Sequence, residues 1–325
     1  MSYTTFTYKK LYELFEPVDI NCVLLGESTH GTKEFYDIRL NITKHLVKNG
    51  GFRCIFLEVD WSIGVELNKY IHSIYKTGAK NLLNGLITKY PIWMTNNRVI
   101  EKLLIWLRSW NSSKKSKDEK VFIYGVDCQD IELAKKNMCD DKTIHCKIVK
   151  QIVDNYSVMT KKGNNYWDER DKMWSRIIKQ IKCGTFILWA HNSHIGDARA
   201  YKIKNNLNIG ELLRKILGEN MMNIGFTTSG GVVRASNKWG GVGVKKKINK
   251  PIGGSYEEDF NEICRKENIS SFIYTCDSSI KEYKMLRYIG VTYDSINEVQ
   301  AHYKMTNINL EFNYVIHINI STDIQ

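Results

Sequence analysis

Proline is nearly missing, at 3 of 325 residues. No Pro-rich linker divides the chain, and the usual markers of domain boundaries are gone. No window approaches the roughly 18 uninterrupted apolar residues of a membrane span. Met1 to Pro17 alternates aromatic, lysine and glutamate residues and has no apolar core of signal-peptide length. The 8 cysteines form no Cys-x-x-Cys pair, and several sit inside apolar runs such as Arg53-Cys54-Ile55-Phe56-Leu57. They read as reduced, buried thiols, so a soluble cytoplasmic protein is expected. Acidic residues also run short: 35 Asp+Glu face 47 Lys+Arg, for a formal charge of +12.

What remains is ordinary globular composition, 43% hydrophobic and 25% charged, which excludes a disordered chain. A chain of this length buries enough surface to fold without a disulfide or a metal. The positive excess is local. Residues 61–120 carry 11 basic and 4 acidic side chains, 184–250 carry 11 and 3, and 251–325 carry 6 and 11. Faces of different sign follow. Lys114, Lys115, Lys117 and Lys245 to Lys247 form short clusters without the interleaved aromatics of a nucleic-acid stacking platform. Neither nucleic acid nor a membrane is therefore an expected partner. The excess instead suggests a small-molecule substrate bearing carboxylate or phosphate.

Short apolar runs recur at Cys22–Leu25, Cys54–Val59, Val121–Val126, Thr185–Ala190, Asn223–Thr227, Ser271–Cys276 and Phe312–Ile320; each has strand length. Helical patterns lie between many of them. Phe35, Ile38, Ile42 and Leu46 repeat at helical spacing until Asn49-Gly50-Gly51 stops the helix. Val99, Leu103, Trp106 and Trp110 mark a second helix, Ser112 to Lys120 reads as a solvated loop, and Trp167 to Ile181 reads as a third helix. Strands alternating with helices imply an α/β fold, a mostly parallel sheet flanked by helices. The chain reads as one domain over 1–325, with 62–182 a largely helical elaboration.

In such a sheet, ligands bind beyond the carboxyl ends of the strands. The first strand runs into Gly26-Glu27-Ser28-Thr29-His30-Gly31, and the second ends at Glu58-Val59-Asp60. The third ends at Asp127, and the fourth runs into His191-Asn192-Ser193-His194. Four strands thus deliver carboxylates and histidines to one edge, which marks a candidate site. Ser28 lacks the second glycine of a nucleophile elbow; Ser28 and Thr29 read as helix N-caps, with Glu34 in the first helical turns. His191 and His194, joined by Glu58 or Asp60, form a plausible zinc or iron set. A metal-free site needs fewer assumptions, because a histidine beside a carboxylate deprotonates water by itself. Other histidines, or Arg39 reaching back from the following helix, would stabilise the oxyanion. Arg170 and Asp171 fall among large apolar residues of one helix, and burial at that position calls for ion pairing or for support of the site.

Glu27-Ser28-Thr29-His30-Gly31 with Glu34-Phe35 and Arg39, then Glu58, resembles the erythromycin esterase family. The resemblance runs on through Pro91-Ile92-Trp93-Met94, Tyr124-Gly125-Val126-Asp127, Glu169-Arg170-Asp171-Lys172-Met173 and Ala190-His191-Asn192-Ser193-His194. It continues in Gly210-Glu211-Leu212-Leu213, Ile224-Gly225-Phe226, Gly254-Ser255-Tyr256-Glu257 and Arg287-Tyr288-Ile289-Gly290. The resemblance implies an α/β core whose helical portion walls a deep cleft. It also implies water attack on an ester or lactone with His30 as general base, and Glu27, Arg39, Glu58, His191 and His194 at the other active-site positions. From these and the strand ends a metal-independent, cofactor-free hydrolase is expected, with His30, Glu27 and Glu58 catalytic, Arg39, His191 and His194 binding substrate, and Asp60, Asp127, Arg170, Asp171 and Glu257 supporting them. The helical region looks shorter than in the antibiotic-inactivating members, and that region shapes the substrate pocket. Two rival expectations are a metal-dependent hydrolase on the same cluster and a non-catalytic protein that sequesters a small molecule.

Overall fold

The apolar runs become strands of a single sheet in the computed structural model, which describes residues 2–16, 19–86, 91–139, 141–163, 165–203 and 207–325. Its nine strands are β1 (Ser2–Thr5), β2 (Cys22–Leu25), β3 (Cys54–Asp60), β4 (Phe122–Asp127), β5 (Phe186–Trp189), β6 (Met221–Ala235), β7 (Val244–Ile248), β8 (Ser271–Thr275) and, after two strands that pair elsewhere, β11 (Tyr314–Ser321). Those two, β9 (Lys284–Arg287) and β10 (Tyr303–Thr306), form a separate antiparallel ladder. The main sheet is ordered β1-β8-β11-β6-β2-β5-β3-β4, with β7 paired to β6. From β11 across to β4 every pairing is parallel. The edge pairings β1–β8, β8–β11 and β6–β7 are antiparallel.

Alternation along the strands splits the core into two faces. Val23, Leu25, Ile55, Leu57 and Val59 pack under the helices Lys33–Asn49, Trp61–Ile71 and Arg98–Ser113. Cys22, Leu24, Cys54 and Phe56 point the other way, under Tyr166–Ile181, Ile209–Leu217 and Tyr256–Glu267. Leu24 and Phe56 are fully buried, and each such side chain contributes about 1.5–3 kcal/mol. The same period places Glu58 and Asp60 on the face of Phe56, which is the face covered by the helix carrying Arg170. Residues 62–182 supply helices and also the edge strand β4.

The cysteine expectation is corrected. Cys54 is disulfide-bonded to Cys183, and Cys139 to Cys146. Cys54 opens β3 and Cys183 directly precedes β5, its parallel neighbour, so their Cα atoms stand 6.3 Å apart. Cys139 and Cys146 flank the turn into the helix Ile144–Met159 with Cα atoms 5.4 Å apart. Both spacings lie within disulfide reach, and neither proximity is visible along the chain. Cys22, Cys128 and Cys264 are free and buried. Cysteine usage therefore gives no ground for a reducing compartment. Among the described residues no helix is long and apolar enough to cross a membrane.

Candidate active site

The four strands that end in polar residues are contiguous in the sheet, β2-β5-β3-β4, and their carboxyl ends deliver Glu27 and His30, His191 and His194, Glu58 and Asp60, and Asp127 to one place. A cavity of about 380 Å³ opens there, lined by His30, Glu58, Arg170, Asp171, His191 and His194. Trp167 and Trp239, 46% and 52% exposed, stand at its mouth. Tyr201, after the short turn Ala198–Ala200, lines it too, with Tyr288 and Gly290 beyond β9 and Lys304 on β10.

His30 sits in the tight turn between β2 and the helix Lys33–Asn49. That turn is clasped from two sides: the Gly31 carbonyl accepts N–H bonds from Arg234 of β6 (3.1 Å) and from Ile324 (3.0 Å). The C-terminal segment also holds the helix start, through Lys33 N–H to the Thr322 carbonyl (2.9 Å) and Thr322 N–H to the Glu34 carboxylate (2.9 Å). Ser28 and Thr29 do not cap that helix. Thr32 is its N-cap, Thr29 and Thr32 hydrogen-bond to each other at 2.5 Å, and the Ser28 hydroxyl is buried with no partner. A Cβ on Gly31 would collide with the Arg234 backbone. Gly31→Ala is accordingly expected to cost about 1–3 kcal/mol in chemical unfolding and to lower turnover by displacing His30. Wild-type stability in that variant would refute the close approach.

His30 Nδ1 donates to Glu27 Oε1 at 2.8 Å, and Arg39 donates to the second oxygen, Oε2, at 2.5 Å. The Arg39 guanidinium is itself stacked over Tyr36 and Trp189, 4.3 and 4.8 Å from their ring centroids. Arg39, expected to bind substrate, is thus buried behind Glu27 and does not line the cavity. Burial disfavours charge on His30, but Glu58 and Glu27 together outweigh it and hold the imidazole above its ordinary pKa. The His191 ring lies 4.8 Å from that of His30. Its Nε2–H donates to the Ile289 carbonyl at 3.2 Å, and Nδ1 accepts from the Ser193 hydroxyl at 2.8 Å. Burial, with the charges of His30 and His194, drives its pKa well down. Two neighbouring histidines are thereby held apart in charge.

Arg170 links the remaining groups. It donates to Asp127 through Nε (2.8 Å) and Nη2 (2.7 Å), to Glu58 through Nη2 (3.2 Å), and approaches His194 Nε2 through Nη1 (3.0 Å). Asp171 does not pair with its neighbour Arg170; it accepts from His194 Nδ1 at 2.8 Å and caps the Ile209 N–H at 2.9 Å. Glu58 completes the web by accepting the His191 backbone N–H at 2.7 Å. Burial pushes the Glu58 carboxyl up, yet His194, His30 and Arg170 pull it below the ordinary range. Asp60 accepts N–H bonds from Gln129 and Asp130 behind this layer, and burial beside Asp127 raises its carboxyl to about 7. Glu257, expected among the supporting groups, lies in a separate buried cluster. It accepts the Arg287 N–H at 2.9 Å, Arg287 pairs with Glu298, and burial raises the Glu257 carboxyl to about 7.

In the alternative metal set of His191 and His194, both nitrogens of each ring are engaged by protein groups. Glu27, His30 and Glu58 bring donor atoms within 4.8 Å of one another. Their carboxylate oxygens, however, are held by Arg39, His30, Arg170 and the His191 N–H. A cation there would compete with two guanidinium groups for the carboxylates.

A family model described as erythromycin esterase matches residues 47–141 and 131–321. Glu58, Asp127, Arg170, His191 and His194 fall inside the matched residues, while Glu27, His30 and Arg39 precede them. An erythromycin esterase type II from Escherichia coli is 26% identical over 123 residues, which is 36% of this chain and 26% of that protein. The match thus spans about a quarter of that curated relative's length. Three solved structures share the fold. A succinoglycan biosynthesis protein aligns with a TM-score of 0.78 at 17% identity, over 99% of this chain and 95% of its own. A Bacillus cereus protein aligns at 0.79 and 18%, over 99% and 94%. A histidine-to-asparagine mutant of erythromycin esterase EreC in its open conformation aligns at 0.67 and 14%, over 99% and 98%.

Proposed function

Because the chain belongs to the erythromycin esterase family, we propose that it is a hydrolase that directs water at the carbonyl of a small ester or lactone, with His30 as general base. One observation carries the reading. The Nδ1–H bond to Glu27 fixes the tautomer of His30 and leaves the Nε2 lone pair on a ring that lines the cavity. Water held at Nε2 gives up a proton as its oxygen bonds to the carbonyl carbon. Glu27, anchored by Arg39, stabilises the imidazolium, which makes Arg39 a positioning residue. The negative carbonyl oxygen of the tetrahedral species faces the Arg170 guanidinium and the His191 Nε2–H, whose bond to Ile289 is long. Collapse breaks the bond to the alkoxide, His30 returns its proton to that oxygen, and an acid and an alcohol leave. In a lactone both stay on one molecule.

The reading is tested by assaying purified protein over a panel of esters and lactones, wild type against His30→Ala. Its pH dependence has a definite sign. The base works only when neutral, and its pKa is raised, so kcat/KM falls as pH drops through a value above histidine's ordinary 6.5. Glu58→Gln removes the largest charge that raises it and moves this acid limb to lower pH. A limb that stays in place assigns it to another group.

Metal dependence is the alternative for the same cluster. With both carboxylates committed to guanidinium groups, turnover is expected to survive prolonged chelation, and freshly purified protein to carry far less than one metal per chain. Loss of activity on chelation, restored by zinc, would favour the metal reading instead.

A further inference from the structure

Lys304 is the charged residue of the cavity that the hydrolytic reading leaves unused. It sits on β10 and lines the same cavity as His30. Its ammonium stands 5.3 Å from the Tyr201 ring centroid and 5.5 Å from that of Tyr288. Among the described residues no carboxylate lies within ion-pair distance of it, and no acceptor takes a hydrogen bond from it. The other cavity charges are matched: Arg170 by Asp127 and Glu58, Asp171 by His194. The nearby carboxylate of Glu311 is occupied by hydroxyl donors, from Tyr288 at 2.7 and 2.8 Å and from Thr306 at 2.8 Å. Lys304 as a residue is exposed, so a ligand can reach it. Partial burial lowers the pKa of the ammonium against the pull of Glu311. A cation that lines a cavity without a counterion gains from an anion delivered to it.

We propose that Lys304 binds an anionic group of the substrate, so that the substrate class is a small ester or lactone that also carries a carboxylate or a phosphate. The inference rests on the hydrolase reading above and adds to it where the substrate's charge sits. A row of rings leads from base to cation: His30 to His191 at 4.8 Å, His191 to Tyr288 at 6.2 Å, and Tyr288 to the Lys304 ammonium at 5.5 Å. The anionic group and the scissile carbonyl therefore lie along one wall, with two rings between them. Within the cavity it is the ammonium of Lys304 that supplies this attraction.

Paired substrates test it: a monoester of a dicarboxylic acid with its second carboxylate free, and the same ester with that carboxylate methylated. Wild type is expected to prefer the anionic ester by about tenfold or more in kcat/KM, through KM. In Lys304→Met the ratio falls to near one, and Lys304→Arg restores part of it. Equal turnover of the two esters by wild type, or a preference that survives in Lys304→Met, overturns the proposal. Calorimetric titration with glutarate separates this inference from the reading beneath it. If neither ester is hydrolysed but glutarate binds wild type and not Lys304→Met, the anion site stands and the hydrolase reading falls. Glutarate that binds both proteins equally, or neither, overturns the site.

Discussion

Replacing His30 with alanine lowers kcat/KM by about 10²- to 10⁴-fold, the range a positioned general base supplies, with little change in the melting temperature. The two halves of that expectation come from the same geometry. The imidazole is the group facing the cavity whose lone pair nothing else occupies, so its loss leaves water without a proton acceptor. Glu27 is not orphaned by the change, because Arg39 still holds its other oxygen at 2.5 Å, and a paired buried carboxylate costs little. Glu27→Gln should harm the rate in a different way. A glutamine amide can donate to Nδ1, and an imidazole that accepts there carries its proton on Nε2, where it cannot act as base. Turnover comparable to wild type in His30→Ala would end the mechanism. Activity retained in Glu27→Gln alone would narrow Glu27 to packing.

Arg170→Met is expected to destabilise the fold by about 3–5 kcal/mol, the cost of leaving buried carboxylates without their cation. That is a large share of the ~5–15 kcal/mol that holds a domain together. One guanidinium on the helix Tyr166–Ile181 engages Asp127 at the end of β4, Glu58 on β3 and His194 after β5, so its loss loosens three strand ends at once. Asp127 has no exposure and, among the described residues, keeps the N–H donors of Cys128, Gln129 and Trp174. Arg170→Lys keeps the charge but loses the fork, and should fall between the two. The gap between wild type and Arg170→Met has a pH dependence. Burial opposes charge on Asp127, but Arg170 holds its carboxyl below the ordinary range. That stability is present above the unfolded carboxylate pKa and is lost as pH falls through the folded one. The two proteins therefore converge in acid. Urea unfolding at neutral pH and near pH 3 measures both effects. Equal midpoints at neutral pH would show that Arg170 is not what neutralises the cluster.

Apolar content explains which strands could be read from the chain. β2, β3, β4, β5, β8, β11 and the first part of β6 are buried enough to appear as short apolar runs, and the polar endings of the first four pointed to one sheet edge. β7 reads Val-Lys-Lys-Lys-Ile and was hidden because one side chain, Ile248, packs in the core and its pairing with β6 carries the rest. β9 and β10 are half polar, and their pairing with each other bridges a long loop that carries no periodic signal. The wall they build was missed with them: Lys304 looked like any surface lysine, and Tyr201 like any aromatic in a loop. Tyr288 had one signal, its place in the Arg287-Tyr288-Ile289-Gly290 block. Glu257 shows the opposite failure, since a familiar block placed it near the site when its partner is Arg287. Arg39 was legible as a residue turned toward His30. Its rank behind Glu27 depends on Tyr36 and Trp189 stacking on it, and no spacing along the chain encodes that.

The clasp on Gly31 gives the protein a timetable. The base enters the growing chain at residue 30, but the backbone group that pins its turn belongs to residue 324. At about 5–20 residues per second, the synthesis of all the residues between them separates the two events. β2 also waits for both of its sheet neighbours, β5 and β6, which are made more than 150 residues later. A ribosome-bound chain halted after β6 would carry His30, Glu27, Glu58 and both later histidines, yet leave the turn held from one side only. Activity in arrested chains of increasing length should therefore rise abruptly at the point where residues 322–324 clear the exit tunnel.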